Sequence, residues 1–415
     1  MDERWRGSRR ELVDRSEGFG ERLLGQLLDR SHQMPPQLIP PLVAEEAARI
    51  GGRDVSIHLQ DYGQSTLVPL RGRGLTAGEP LPVDASPAGE AFLARRMVEE
   101  WRTDGLRVHV PLVNGADEIG VLSITMDVLD EDDLRLLRRL GALVAEMLIS
   151  KARYTDRFFQ ARRHGRPLSL AAEIQYAQLP PLAMSTPQVS LAAVLQPALD
   201  VAGDSLDYAL NDDILHLAII DAMGHGLEAA LLATLALGAH RRGRRADVGL
   251  RELYEMMDRG INGTFGPEQF VTAQMMRLDV STGDLQWVNA GHPAPLLIRG
   301  YRVIERLESE DRLPMGFGRP APRTAAAQLR RGDQVLFFTD GVIEERGPSG
   351  QEFRETRLID AIEHIGPSSS GVIETARRLA TALERARGGV AADDATLFLV
   401  EWHGRTADHL ARLDI

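Results

Sequence analysis

The chain has 415 residues, 43% hydrophobic and 26% charged, with a formal net charge of -12 at pH 7. That balance suits a globular protein of two or three domains and offers no clustered basic surface for nucleic acid. There is no cysteine, and Lys151 is the single lysine, so disulfides, thiol nucleophiles, a P-loop lysine and a protein-kinase lysine are all excluded.

Residues 1–35 form a first segment, in which "ERLLGQLLDR" sets Leu23, Leu24, Leu27 and Leu28 on one side of a helix before "MPPQLIPP" interrupts it. From 36 to 150 short alternating strands mix with helices: "LVAEEAARI", "VSIHLQ", "STLVPL", "AGEAFLARRMVE" and "RVHVPLVNGADEIGVLSITM". Asn114-Gly115 in the last piece predicts a hairpin. "DEDDLRLLRRLGALVAEMLISKARYTDRFF" follows as a long helix with acids in its first turn. The phrases "SPAGEAFLARRMV" and "VPLVNGADEIGVLSITM" resemble those of GAF domains, which implies a sensory or dimerising module taking a small-molecule or protein signal.

A helical linker is expected over 151–183, broken by "HGRP" and resumed as "LSLAAEIQYAQLPP". Leu134, Leu137, Leu140, Val144 and Met147 form a stripe that would serve either the core or a seam with a second subunit, and a homodimer through these helices is expected. From 184 to 403 strands and helix pairs alternate, ahead of a tail at 404–415. The expected strands are "VSLAAVLQ", "DILHLAII", "FVTAQMMRLDV", "LQWVNAG", "PLLIRG", "DQVLFFT" and "ATLFLVEW". Helices arriving in pairs argue against a doubly wound sheet and for two packed antiparallel sheets covered by helices. The expected class is therefore α+β throughout. No run approaches the roughly 18 apolar residues of a membrane helix and the first residues lack an apolar core, so a cytoplasmic protein without membrane insertion is expected.

Several acids stand where the expected strands meet loops: Asp204 in "VAGDSLD", Asp221 in "IIDAMGHG", Asp340 in "FFTDGVIE", and Asp393 with Asp394 in "AADDATLFLV". Alone, Asp-Gly after a strand is a turn, and Asp221 before two glycines and a helix would suit a turn, a phosphate cradle or a metal. Together, converging carboxylates would repel one another unless a cation neutralised them, and oxygen-only donors favour Mg²⁺ or Mn²⁺ over zinc.

The ordered phrases "LQPALDVAGDSLD", "IIDAMGHGLEAALL", "FVTAQMMRLDVSTGDLQWVNAGHPAPLLIRG", "LPMGF", "LRRGDQVLFFTDGVIEERGPSGQEF" and "DDATLFLV" resemble the bacterial PPM phosphatases of the protein phosphatase 2C and stage II sporulation type. The resemblance implies an antiparallel β-sandwich flanked by helices that binds two divalent cations and hydrolyses phosphoserine or phosphothreonine. It makes Asp204, Asp221, Asp340 and Asp393 the catalytic metal acids, with the Ala222 carbonyl and Asp394 as further ligands and Asp207 as an outer acid. The implied substrate is a phosphorylated regulatory protein, an anti-sigma-factor antagonist in partner switching, under control of the GAF-like domain. His225 and His292 are expected to hold loops rather than to move protons. An ATPase box of the histidine-kinase kind fails on glycine spacing. The remaining alternative is a catalytically silent scaffold that uses the same fold to bind a partner.

Overall fold

The computed structural model describes residues 17–31, 34–61, 64–114, 117–153, 155, 169–196, 202–309, 313–343, 354–369, 371–387 and 394–405. The chain divides into two compact units, Met1–Gly165 and Arg166–Ile415.

In the first unit, helices α1 (Glu17–Ser31) and α2 (Ile39–Arg49) precede strand β1 (Arg53–Gln60). Pro40 and Pro41 fall in the first turn of α2, where a missing N–H costs nothing. There follow β2 (Thr66–Pro69), β3 (Leu81–Pro82), α3 (Pro87–Ala94), β4 (Val98–Arg102), β5 (Gly105–Asn114), β6 (Asp117–Met126) and α4 (Glu131–Ala152). The strands make one sheet, ordered β3-β2-β1-β6-β5-β4. The expected hairpin is the β5–β6 pair, closed by Asn114 opposite Asp117; Gly115 lies outside the described residues. Alternation sends Val55, Ile57, Val108, Val110, Leu122 and Ile124 to a single core shared with α1, α2 and α4. A capping box starts α4: the Asp133 N–H donates to Asp130 Oδ1 (2.8 Å) and the Asp130 N–H to Asp133 Oδ2 (3.2 Å).

Of the two uses open to the α4 stripe, core or subunit seam, the structure shows the first. Leu137, Leu140, Val144 and Met147 are buried in this unit's own core, against the α1 side chains Leu23 and Leu27 among others. A helix has one apolar face to give, and the sheet takes it. The break at "HGRP" and the helix expected before residue 17 lie outside the described residues.

The second unit opens with α5 (Leu170–Gln178) and packs two antiparallel sheets face to face. One holds β9 (Ala202–Asn211), β10 (Ile214–His225), β11 (Val271–Asp279), β12 (Asp284–Ala290) and β15 (Ala325–Gln328). The other holds β7 (Ala183–Ser185), β8 (Val189–Gln196), β13 (Leu296–Arg299), β14 (Arg302–Arg306), β16 (Gln334–Phe338) and β17 (Ala395–Trp402). Helices α6 (Gly226–Arg245) and α7 (Leu250–Phe265) cover the outer face of the first sheet through Ala218, Ile220, Ala229 and Tyr254. After the one-turn α8 (Asp340–Ile343), α9 (Arg354–Ile365) and α10 (Val372–Arg387) cover the second through Leu336, Leu358, Leu379 and Leu397. Between the sheets, Phe398 packs against Tyr208 and Phe337 with ring centroids 6.2 and 5.8 Å apart.

One strand departs from expectation. Asp204 is not at a strand-to-loop junction but inside β9, which the hydrophobic pattern does not signal. Its alternation is real, with Asp204, Leu206 and Tyr208 on one face and Ser205 and Asp207 on the other, but acids occupy positions where apolar residues mark a strand.

Candidate active site

Cross-strand register assembles the first pair of acids. Asp221 on β10 stands directly opposite Asp204 on β9, so both side chains leave the same face of the sheet, the one turned towards the second sheet. The approach needs a glycine: a Cβ built on Gly203 would meet the Ala222 carbonyl oxygen at 2.1 Å. Ala222 is itself buried and pairs with Val271 on β11. Beyond it, positive φ at Gly224 (92°) and Gly226 (73°) turns β10 straight into α6.

The second sheet supplies what holds Asp204. Thr339, after β16, and Thr396, on β17, are fully buried, and their hydroxyls donate to the same oxygen, Asp204 Oδ2, at 2.8 and 2.6 Å. The two threonines are tied together in turn, Thr396 N–H to Thr339 Oγ1 at 3.0 Å and Thr339 N–H to the Thr396 carbonyl at 3.1 Å. Since Asp340 follows Thr339 and Asp394 lies two residues before Thr396, this clasp brings the strand ends that carry those acids beside Asp204. From α5, the buried Gln175 donates through Nε2 to the Asp204 carbonyl oxygen and reaches Asp394 Oδ2 at 3.5 Å. Gln175 Oε1, also buried, has no hydrogen-bond partner.

Burial, then the charges of Asp221 and Asp394, push the Asp204 carboxyl well above the usual range, against the pull of the two threonine hydroxyls. Among the described residues no three acid or imidazole side chains already close a shell around a metal; Asp393 is outside the described residues, and Asp340 is half-buried at the start of α8. The donors available are carboxylates, the Ala222 carbonyl and an orphaned amide oxygen, mutually repulsive and without sulfur. These residues fit hard divalent cations.

Three residues stand apart from the acids. Asp207, three positions from Asp204 and so on the opposite face, accepts from His240 Nδ1 (2.9 Å) and Arg241 Nε (3.0 Å) and lies 2.9 Å from an Arg244 nitrogen. It fastens α6 to β9, which removes it from the outer shell expected of it. Burial lowers the pKa of His292 to about 3, leaving the ring neutral; its Nδ1 pairs with Thr272 Oγ1 at 3.0 Å, while its backbone is clasped by Asn289. His225 is exposed at the end of β10. Thr339, Thr396, Gln175 and Gly203 escape a search for acids. Their only sequence signal is position: each lies one or two residues from an acid, or in the helix before the domain.

By fold and donor chemistry the second unit is a helix-covered β-sandwich whose candidate centre is an oxygen-only cation site. Residues 211–403, a little under half of the chain, match the family model of stage II sporulation protein E (SpoIIE), and this part of the chain is similar to that family. The chain is 24% identical over 185 residues to the phosphoserine phosphatase RsbP of Bacillus subtilis, covering 43% of this chain and 45% of that one. It is 23% identical over 261 residues to protein IcfG of Synechocystis, covering 56% and 41% respectively. Among solved structures, the RsbU and RsbW domains of Rv1364c from Mycobacterium tuberculosis align at 28% identity, over 53% of this chain and 63% of that one, with a TM-score of 0.45. The chain thus spans about half the length, or less, of these curated relatives. Among the described residues no helix is long and apolar enough to cross a membrane.

Proposed function

We propose that the second unit hydrolyses phosphoserine and phosphothreonine monoesters on a regulatory protein, with Asp204, Asp221, Asp340, Asp393, Asp394 and the Ala222 carbonyl holding two Mn²⁺ or Mg²⁺ ions. The observation that carries this reading is the buried Asp204, paired across the sheet with Asp221 and clasped by two threonines of the other sheet. Bound divalent cations would supply a water of lowered pKa and neutralise the phosphoryl oxygens. The chain's own part is to fix the donors: Thr339 and Thr396 orient one oxygen of Asp204 and leave the other for a cation. Gln175 ties the backbone of β9 to Asp394. Gly203 keeps β9 and β10 close enough for both acids to face one point. No lysine is needed to bind phosphate at such a site.

The likeness to phosphatases named for phosphoserine supports serine chemistry, and the sporulation-type resemblance supports an anti-sigma-factor antagonist as substrate. The first unit, with its GAF-like phrases, is proposed as the module that receives a signal and controls the second. The test is hydrolysis of p-nitrophenyl phosphate and of a phosphoserine peptide by the full chain with and without Mn²⁺. Metal-dependent turnover that falls on the order of 10²-fold or more in Asp204→Asn is expected. Wild-type protein that binds a partner yet turns over neither compound would establish the silent scaffold instead.

A further inference from the structure

Beside the acids the surface changes character. Met223 follows Asp221 by two residues on β10; the pairing with β9 shifts register here, but the pairing with β11 runs on regularly and keeps Met223 on the Asp221 side. Its N–H donates to the Phe270 carbonyl (3.1 Å), which continues the β10–β11 register and sets Phe270 directly across from it. The Phe270 ring stacks on Phe317 with centroids 5.6 Å apart. Phe317 is brought there by an anchored loop: Met315 and Val271 exchange both backbone hydrogen bonds at 2.9 Å, and the buried Asp258 of α7 accepts from the Gly316 and Gly318 N–H groups at 2.8 and 3.2 Å. Tyr254 adds a hydroxyl bond to the Leu313 carbonyl at 2.9 Å. Met223 and Phe317 are each 43% exposed, as is Leu227 in the first turn of α6. Large apolar side chains held on a braced backbone and left in water are what a binding surface presents.

Resting on the phosphatase reading, we infer that this ledge receives the polypeptide flanking the phosphorylated residue, and that the site selects protein substrates with apolar side chains two to three residues from the phosphoserine. The spacing follows from strand geometry. Met223 lies about 7 Å along β10 from Asp221, at roughly 3.3 Å per residue. The Met315 backbone lies about 10 Å from Ala222, two strand spacings away through Val271. An extended peptide whose phosphate sits at the acids covers that range in two to three residues. The ledge adjoins the acids through the Asp221–Met223 segment of β10, which puts it within reach of a polypeptide whose phosphate sits at the acids.

The experiment uses the full chain with Mn²⁺ and two phosphoserine peptides of equal length and charge, one with leucine and the other with serine at the second and third positions on both sides. The expected ratio of kcat/KM, apolar over polar, is about tenfold, falling towards unity in Phe317→Ala and kept in Phe317→Leu. A ratio near unity in the wild type, or one that Phe317→Ala leaves unchanged, overturns the inference while leaving the phosphatase reading intact. A ratio of unity together with a sedimentation mass that drops in Phe317→Ala also overturns it, in favour of contact with a second copy. If wild type turns over neither peptide nor p-nitrophenyl phosphate, the phosphatase reading itself has failed and this inference goes with it.

Discussion

Asp204 sits between two threonine hydroxyls that belong to the opposite sheet, and that contact makes its carboxylate directional rather than merely buried. Replacing Thr396 by valine keeps the shape and removes a 2.6 Å hydrogen bond to a buried carboxyl, a loss of about 1 to 3 kcal/mol. Raised KM for Mn²⁺ in a metal titration of activity is the expected signature; unchanged metal dependence would show that the clasp does not orient Asp204. Gly203→Ala drives a methyl into the Ala222 carbonyl. Such overpacking costs about 1 to 3 kcal/mol, and both the melting temperature and activity should fall, since the displaced strand carries Asp204. The acids themselves are visible in the sequence because carboxylates flanked by apolar runs have few other uses. The threonines and the glycine are not, because a hydroxyl or a missing Cβ acquires meaning only when another strand arrives.

Helix α6 illustrates the next scale. Its inner side carries His240, Arg241 and Arg244 to a single carboxylate on β9, Asp207. Burial alone would raise the Asp207 pKa, but the His240 hydrogen bond and the charges of His240, Arg244 and Arg241 outweigh it and hold the carboxyl below its ordinary value. A depressed folded pKa stabilises the native state above the unfolded carboxylate value near about 4, and that contribution is lost as pH falls through the lower folded value. Asp207→Asn should therefore remove about 1.5 to 3 kcal/mol at pH 7, since it takes the charge from a buried carboxylate that three donors of α6 share. Urea midpoints should show the gap between wild type and variant narrowing as the pH is taken below 4; a gap constant with pH would refute the assignment. The helices and most strands are legible from periodicity. β9 is not, because its two faces carry functional or structural acids in place of a hydrophobic stripe, and the α4 stripe is legible as apolar but silent on its partner.

At the scale of the molecule, each unit closes its own core, the first around one sheet and the second in the layers of a sandwich. Units with separate cores unfold as separate cooperative steps unless their interface is large. Calorimetry on the full chain should resolve two transitions, with Gly203→Ala lowering one and leaving the other in place; a single transition shifted as a whole would show strong coupling. Control of the second unit by the first has its own test, since removing residues 1–150 should alter turnover, and identical kinetics would refute it. By itself the sequence determined the α+β composition, the order of the acids and the oxygen-only donor chemistry, because residue type and periodicity are local properties. The tertiary structure alone decided that Asp204 lies inside a strand, that Asp207 faces a helix and not the acids, and that the α4 stripe belongs to its own core. It also placed an apolar ledge beside the acids. Each of these depends on which strand or helix arrives opposite a given side chain, and register between segments far apart in the chain is set by packing rather than by local pattern.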